Sequence, residues 1–155
     1  MEKLKKIAEL SKKASRILST TSPKIKSNVL KYAASLIKRN ANKIENANKN
    51  DLKIAKVKGL DDAMIDRLLL DKSRINSISK SLNEIAKWPD PVGKIISKSK
   101  RPNGLEIQKV SVPIGVLLVI YESRPNVTTD ASALCLKSGN SVILKCGSES
   151  LNSSK

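Results

Sequence analysis

The chain has 155 residues and sets thirty Lys and Arg against fourteen Asp and Glu, a net charge of +16, with no histidine and two cysteines. That composition offers no ligand set for a structural metal site. It also contains no apolar stretch of the kind that makes a signal peptide or a membrane span, so a cytoplasmic location with both thiols reduced is expected. A phosphate-backbone partner would suit the charge. The lysines, however, are spread along several segments instead of forming one block. No Phe, two Tyr and one Trp also leave a base-stacking surface little to work with. Nucleic acid is therefore the less favoured partner, and a solvated basic face that draws in anionic ligands is the expected role of the charge.

From the amino terminus, Leu4, Ile7, Ala8, Leu10, Ala14, Ile17 and Leu18 recur at helical spacing across residues 2–19, one apolar stripe under a lysine-covered face. Ser22-Pro23 is a helix start: a capping hydroxyl followed by proline in the first turn. The second helix is expected to run through Ile25, Val29, Tyr32, Ala33, Leu36, Ile37 and on to Ile44. Asp51 is expected to cap a short third helix that Gly59 ends. Asp61 starts a fourth, and Ser73 a fifth with Ile75, Ile78, Leu82 and Ile85 on one face. Residues 1–87 thus read as amphipathic helices poor in chemistry.

Trp88-Pro89-Asp90-Pro91 breaks the helical pattern, because proline disfavours helix in the residue before it. Residues 94–97 and 105–112 alternate like strands, and Pro102-Asn103-Gly104 between them signals a hairpin turn. A lone hairpin is marginal in water, so partner strands are expected from elsewhere. An unbroken apolar run at 116–121 then precedes a polar turn, a helix-period segment closed by Gly139-Asn140, and a second apolar run at 142–144. Such runs suggest parallel strands buried on both faces, and two of them around one helix make a right-handed βαβ unit. The last residues read as the opening of another helix. A sheet of two such strands is only begun, so a truncated or split chain is expected; the alternative is a small complete α/β protein.

In open α/β sheets, ligands bind beyond the carboxyl ends of the strands, here residues 121–126 and 145–149. Lys145, Ser148 and Glu149 place a cation, a hydroxyl and a carboxylate after the second strand, with small Gly147 between them. The set suits a phosphate or ribose close to the backbone, and equally an ordinary loop with a solvated lysine and a capping serine. Asn126 suits a helix N-cap, bonding to the N–H of Thr128 or Thr129. Arg124 suits bidentate contact with a carboxylate or phosphate, or else a pair with Glu122. Cys135 lies on the stripe Ala131-Leu134-Cys135-Ser138 and reads as a small buried hydrophobe. Neither it nor Cys146 has the surroundings of an activated nucleophile.

The succession 59–68 (GLDDAMIDRL), 89–93 (PDPVG), 101–105 (RPNGL), 112–116 (VPIGV), 120–127 (IYESRPNV) and 135–140 (CLKSGN) resembles the glutamate-5-semialdehyde dehydrogenase (gamma-glutamyl phosphate reductase) family. This is the proline-biosynthesis branch of the aldehyde dehydrogenase superfamily. The resemblance covers nearly the whole chain but only the first part of a family member. It implies an incomplete α/β fold: an amino-terminal helical part of the cofactor domain (1–93), a β-hairpin going to the oligomerisation element (94–112), and the first βαβ unit of an NADP-binding domain (113–155). The catalytic domain, with its nucleophilic cysteine, is implied to lie beyond Lys155, so the chain alone is expected to be inactive.

The implied activity is NADPH-dependent reduction of L-glutamyl 5-phosphate to L-glutamate 5-semialdehyde, in a homo-oligomer with a functional link to glutamate 5-kinase. The resemblance further implies that Lys145, Ser148 and Glu149 hold the adenine ribose and 2′-phosphate of NADPH. It makes Asn126 the oxyanion donor, with Arg124 on the substrate side. One more residue separates Lys145 from Ser148 than is common in the superfamily, and the run from Asn126 to Gly139 is shorter than usual there. The competing reading is a non-catalytic basic module that binds nucleic acid or a partner protein.

Overall fold

The structure is a computed structural model that describes residues 2–155. Helix α1 (Glu2–Thr20) ends before Ser22, whose hydroxyl accepts from the Ile25 N–H at 3.4 Å and starts α2 (Pro23–Arg39), with Pro23 in the first turn as the sequence indicates. Helix α2 stops sooner than expected. Asn40 closes it by donating backbone and side-chain N–H groups to the Leu36 carbonyl at 2.9 and 2.8 Å, and α3 (Ala41–Val57) follows at once. Ile44, expected at the end of α2, therefore lies in α3, where it packs against Leu70, Ile75 and Ile78. Asp51 is not a cap either, because α3 runs straight through it.

Asp61 caps α4 (Asp62–Leu68) by accepting from the Met64 N–H at 2.7 Å, as expected. Helix α5 (Lys72–Lys87) is capped by Asp71, which accepts from Arg74 N–H at 2.7 Å, so it opens one residue before Ser73. The apolar face of α5 is the centre of the molecule. Leu82, Ile85 and Ala86 pack with Leu30 and Ala34 of α2 and with Ala133 of the last helix, all nearly inaccessible. Each large aliphatic side chain buried there contributes about 1.5–3 kcal/mol.

One buried ion pair fixes the loop 88–91 onto this core, and a second buried lysine ties the last helix to α5 and α2. Buried Lys26 of α2 pairs with Asp90 at 2.5 Å. Lys137, also buried, donates to the Ala86 carbonyl and to Ser27 Oγ, both at 3.0 Å.

The hairpin forms around the expected Pro102-Asn103-Gly104 turn, but its first strand runs three residues past the expected 94–97 and its second is shorter than 105–112. Antiparallel β1 (Ile95–Lys100) and β2 (Glu106–Val110) pair with Lys98 opposite Gln108, and a bulge lies between Ile95 and Ser97. Every residue of both strands is exposed. Parallel β3 (Val116–Ile120) and β4 (Ser141–Lys145) flank α6 (Asn126–Lys137), with Leu118 opposite Ile143 and Ile120 opposite Lys145.

Gly139 permits the tight return to β4. It has φ 73°, and a Cβ there would meet Pro113 at 3.0 Å and Val92 at 3.1 Å. Ser141 Oγ donates to the Ser11 carbonyl at 2.8 Å, seating β4 on α1. One expectation fails in β3, which is not buried on both faces. Leu117 and Val119 are half-buried, but Leu118 and Ile120 are 60% and 62% exposed. Among the described residues, only α1 packs appreciably on β3 besides its partner strand, so the face bearing Val116, Leu118 and Ile120 is left open.

After β4 the chain makes a 3₁₀ turn (Ser148–Ser150) and hydrogen-bonded turns in place of a regular helix. That segment explains Asp51. Its buried carboxylate accepts from the Asn152 N–H (3.1 Å) and amide (2.8 Å), and from the Ser153 N–H (2.7 Å) and hydroxyl (2.5 Å). Asn48, one turn earlier on α3, donates to Ser153 Oγ at 3.0 Å and to the Leu68 carbonyl at 2.8 Å, and accepts from the Leu70 N–H at 2.7 Å. Two buried polar side chains of α3 thus organise the end of the βαβ unit. No described helix is long and apolar enough to cross a membrane.

Candidate functional site

The carboxyl ends of β3 and β4 lie side by side, because Tyr121 N–H donates to the Lys145 carbonyl at 3.0 Å and prolongs the ladder. Beyond Tyr121 the chain turns sharply at Ser123, a buried non-glycine residue with φ 47°. Serine is strained in that left-handed region. Its compensation comes from the other strand: Glu149 Oε1 accepts the Ser123 N–H at 2.6 Å and its hydroxyl at 3.3 Å. The two loops expected to carry function are therefore tied together by one carboxylate.

Burial pushes the Glu149 carboxyl up. The hydrogen bonds from its own backbone N–H and from both Ser123 donors, with the Lys58 charge, outweigh that and hold it below its ordinary value. The carboxylate also fills the space over Gly147, where a Cβ would stand 2.0 Å from Oε1. Lys145 and Ser148 are both exposed at this edge. Tyr121 Oη shares a hydrogen with Thr128 Oγ1 at 2.5 Å, joining the end of β3 to the first turn of α6.

Helix α6 opens differently from the N-cap expected at Asn126. Pro125 holds the cap position and Asn126 is the first helical residue, because the turn at Ser123 lets the Val127 N–H reach the Arg124 carbonyl at 3.0 Å. Asn126 Nδ2 donates to Asp130 Oδ2 at 3.1 Å, which uses one of its two amide hydrogens. Arg124 and Glu122 are exposed, and no ion pair joins them or engages either among the described residues. Cys135 is buried in α6, and burial raises its thiol pKa, which opposes formation of a nucleophilic thiolate. Cys146 is half-buried.

A cleft of about 350 Å³ lies on the Asn126 side, where the first turns of α6 meet α4 and α5. Its polar wall carries Arg67, Arg74, Ser77, Ser81, Asn126 and Asp130. Of these, only Asn126 is a residue that sequence reasoning singled out, and Arg124 does not line the cleft. The missed signal was the scarcity of arginine: six of thirty basic residues are Arg, and two of those six line one cleft.

Comparison with known proteins agrees with the family resemblance read in the sequence. The chain is 49% identical to a curated gamma-glutamyl phosphate reductase of Clostridium tetani over 93% of its own length and 34% of that protein's. It superposes on the crystal structure of gamma-glutamyl phosphate reductase from Saccharomyces cerevisiae with a TM-score of 0.91 and 42% identity, covering 96% of this chain and 38% of that one. A probable aldehyde dehydrogenase of Listeria monocytogenes matches at TM-score 0.67 and 18% identity, which bears on the fold alone. No protein-family profile matches the chain. The chain thus spans about a third of the length of the curated relatives it matches, and its mixed helix-and-sheet architecture corresponds to part of an aldehyde-dehydrogenase-like α/β domain.

Proposed function

We propose that this chain is a portion of a gamma-glutamyl phosphate reductase, contributing to NADPH-dependent reduction of L-glutamyl 5-phosphate to L-glutamate 5-semialdehyde with release of phosphate. The observation that carries the reading is the pair of parallel strand ends. They set Lys145, Ser148 and Glu149 beside the Ser123 turn, in a chain nearly half identical to named reductases.

The residues present fit a dinucleotide. Lys145 offers an exposed cation where an adenosine 2′-phosphate would bind, and the exposed Ser148 hydroxyl lies three residues on. Glu149 commits only Oε1 to Ser123, which leaves Oε2 to accept from a ribose hydroxyl. The nicotinamide cofactor, when bound, supplies hydride to the acyl carbon. Asn126, with one amide hydrogen free, serves as donor to the acyl oxygen as charge develops there. Arg124, unpaired at the same loop, holds an anionic group of the substrate.

The thiol that displaces phosphate is neither Cys135, which is buried with a raised pKa, nor Cys146, which lies where the cofactor would cover it. The exposed hairpin is the natural seat of subunit contacts in a homo-oligomer, and two free thiols suit the cytoplasm. Proline biosynthesis and a working link to glutamate 5-kinase follow from the same reading.

The test is to titrate the chain with NADPH and with NADH, as wild type and as Lys145→Glu. A partly desolvated charge-assisted contact predicts a loss on the order of ten- to a hundredfold for NADPH and little for NADH. Equal losses would remove Lys145 from the 2′-phosphate site.

A further inference from the structure

Two cations and an anion line the cleft beside Asn126. Arg74 is committed: its guanidinium donates to the Asp66 carbonyl, to the Leu69 carbonyl at 3.2 Å and to Asp66 Oδ1 at 2.6 Å, closing the end of α4. Arg67 is exposed and makes no ion pair among the described residues. Asp130 is half-buried on α6 and, among the described residues, accepts only the Asn126 amide at Oδ2. Both residues line the same cleft, and no ion pair joins them among the described residues. Leu70 and Ile78, members of an apolar core cluster, line the cleft as well. A volume of about 350 Å³ is at the small end for ligand sites and admits a short molecule.

A guanidinium without an ion pair and a carboxylate lining one small cleft can each take one of the two charges of an α-amino acid headgroup. We propose that this cleft is an amino-acid subsite: Arg67 binds the α-carboxylate, Asp130 accepts from the α-ammonium, and the side-chain methylenes lie over Leu70 and Ile78. Arg67 rather than Arg124 then fixes the amino-acid end of the substrate. This deepens the reductase reading and rests on it for the identity of the amino acid.

The experiment is an amide-resolved NMR titration of the 155-residue chain with L-glutamate, with glutarate, which lacks the ammonium, and with 4-aminobutyrate, which lacks the α-carboxylate. L-Glutamate is expected to move the Ser77, Ser81 and Asn126 signals saturably, and each truncated ligand to bind about tenfold more weakly or worse. Arg67→Gln should bring L-glutamate down to the level of 4-aminobutyrate, and Asp130→Asn should bring it down to glutarate. A misfolded variant cannot produce those two separate equalities. The proposal is overturned if glutarate binds as well as L-glutamate, if both variants weaken every ligand alike, or if no saturable shift occurs at these residues. Adding NADPH to the same sample separates the two readings. L-Glutamate binding with no cofactor shifts at residues 145–149 keeps the subsite and defeats the reductase assignment. Cofactor shifts without L-glutamate binding do the reverse.

Discussion

Glu149 is the residue on which the geometry of both strand ends depends. Its carboxylate accepts both donors of a serine at φ 47° and does so more strongly while ionised. The folded value lies below the ordinary 4.5, so the tether contributes stability that is fully present above that pH. The contribution disappears as pH falls through the lowered folded value. Glu149→Gln should therefore be less stable than wild type at neutral pH and converge on it in acid. Thermal melts of both proteins across pH 3–7 check this; parallel curves at every pH would sink it.

Lys26 and Asp90 form the other dependence at this scale, since both side chains are almost inaccessible. Removing one partner leaves a buried charge unpaired, at a cost of about 3–5 kcal/mol. Lys26→Met combined with Asp90→Leu removes both charges and should unfold at a higher urea concentration than either single variant. A double variant no better than the worse single one would contradict that account.

Asp51 shows why elements differ in how well a sequence reveals them. Ser22-Pro23, Asp61 and Asn103-Gly104 act on backbone groups two or three residues away, so their helices and hairpin were legible from neighbours alone. Asp51 looks the same in sequence as Asp61, but its partners Asn152 and Ser153 lie about a hundred positions further on. Only tertiary packing reveals that it bonds the turns after the 3₁₀ segment and does not start a helix.

The same distance hid the cleft, because Arg67 and Asp130 sit on helices that meet only in the folded chain. The α2–α3 break at Asn40 was masked for a different reason: Ile44 continues the apolar period of α2 across it. Asp51→Ala is expected to strand the Asn152 and Ser153 N–H groups and cost about 2–4 kcal/mol. Limited proteolysis should then cut within 148–155 first, while the α2–α5–α6 core persists. Simultaneous loss of the whole fold would mean that the segment is not a separate unit.

At the scale of the whole chain, apolar exposure and charge oppose each other. Leu118 and Ile120 on the open face of β3, Ile96 and Ile107 on the hairpin, and Leu4, Leu10 and Ile17 on α1 are all exposed. The sheets have two strands each, so every strand presents an unpaired edge. Edges of that kind template association, and an apolar strand beside one strengthens the tendency. The net charge of +16 resists it through repulsion that reaches about 10 Å at 0.1 M salt and only about 3 Å at 1 M. The chain expressed alone should therefore self-associate, and increasingly so as salt is raised. Proteins held together by ion pairs would respond in the opposite sense. Leu118→Lys with Ile120→Lys places two charges on the open face without touching the half-buried Leu117 and Val119, and should shift the population toward monomer at any given salt. Sedimentation velocity across a salt series measures both effects. A monomer whose sedimentation is indifferent to salt, with a single sharp melt, would show that these surfaces do not drive association.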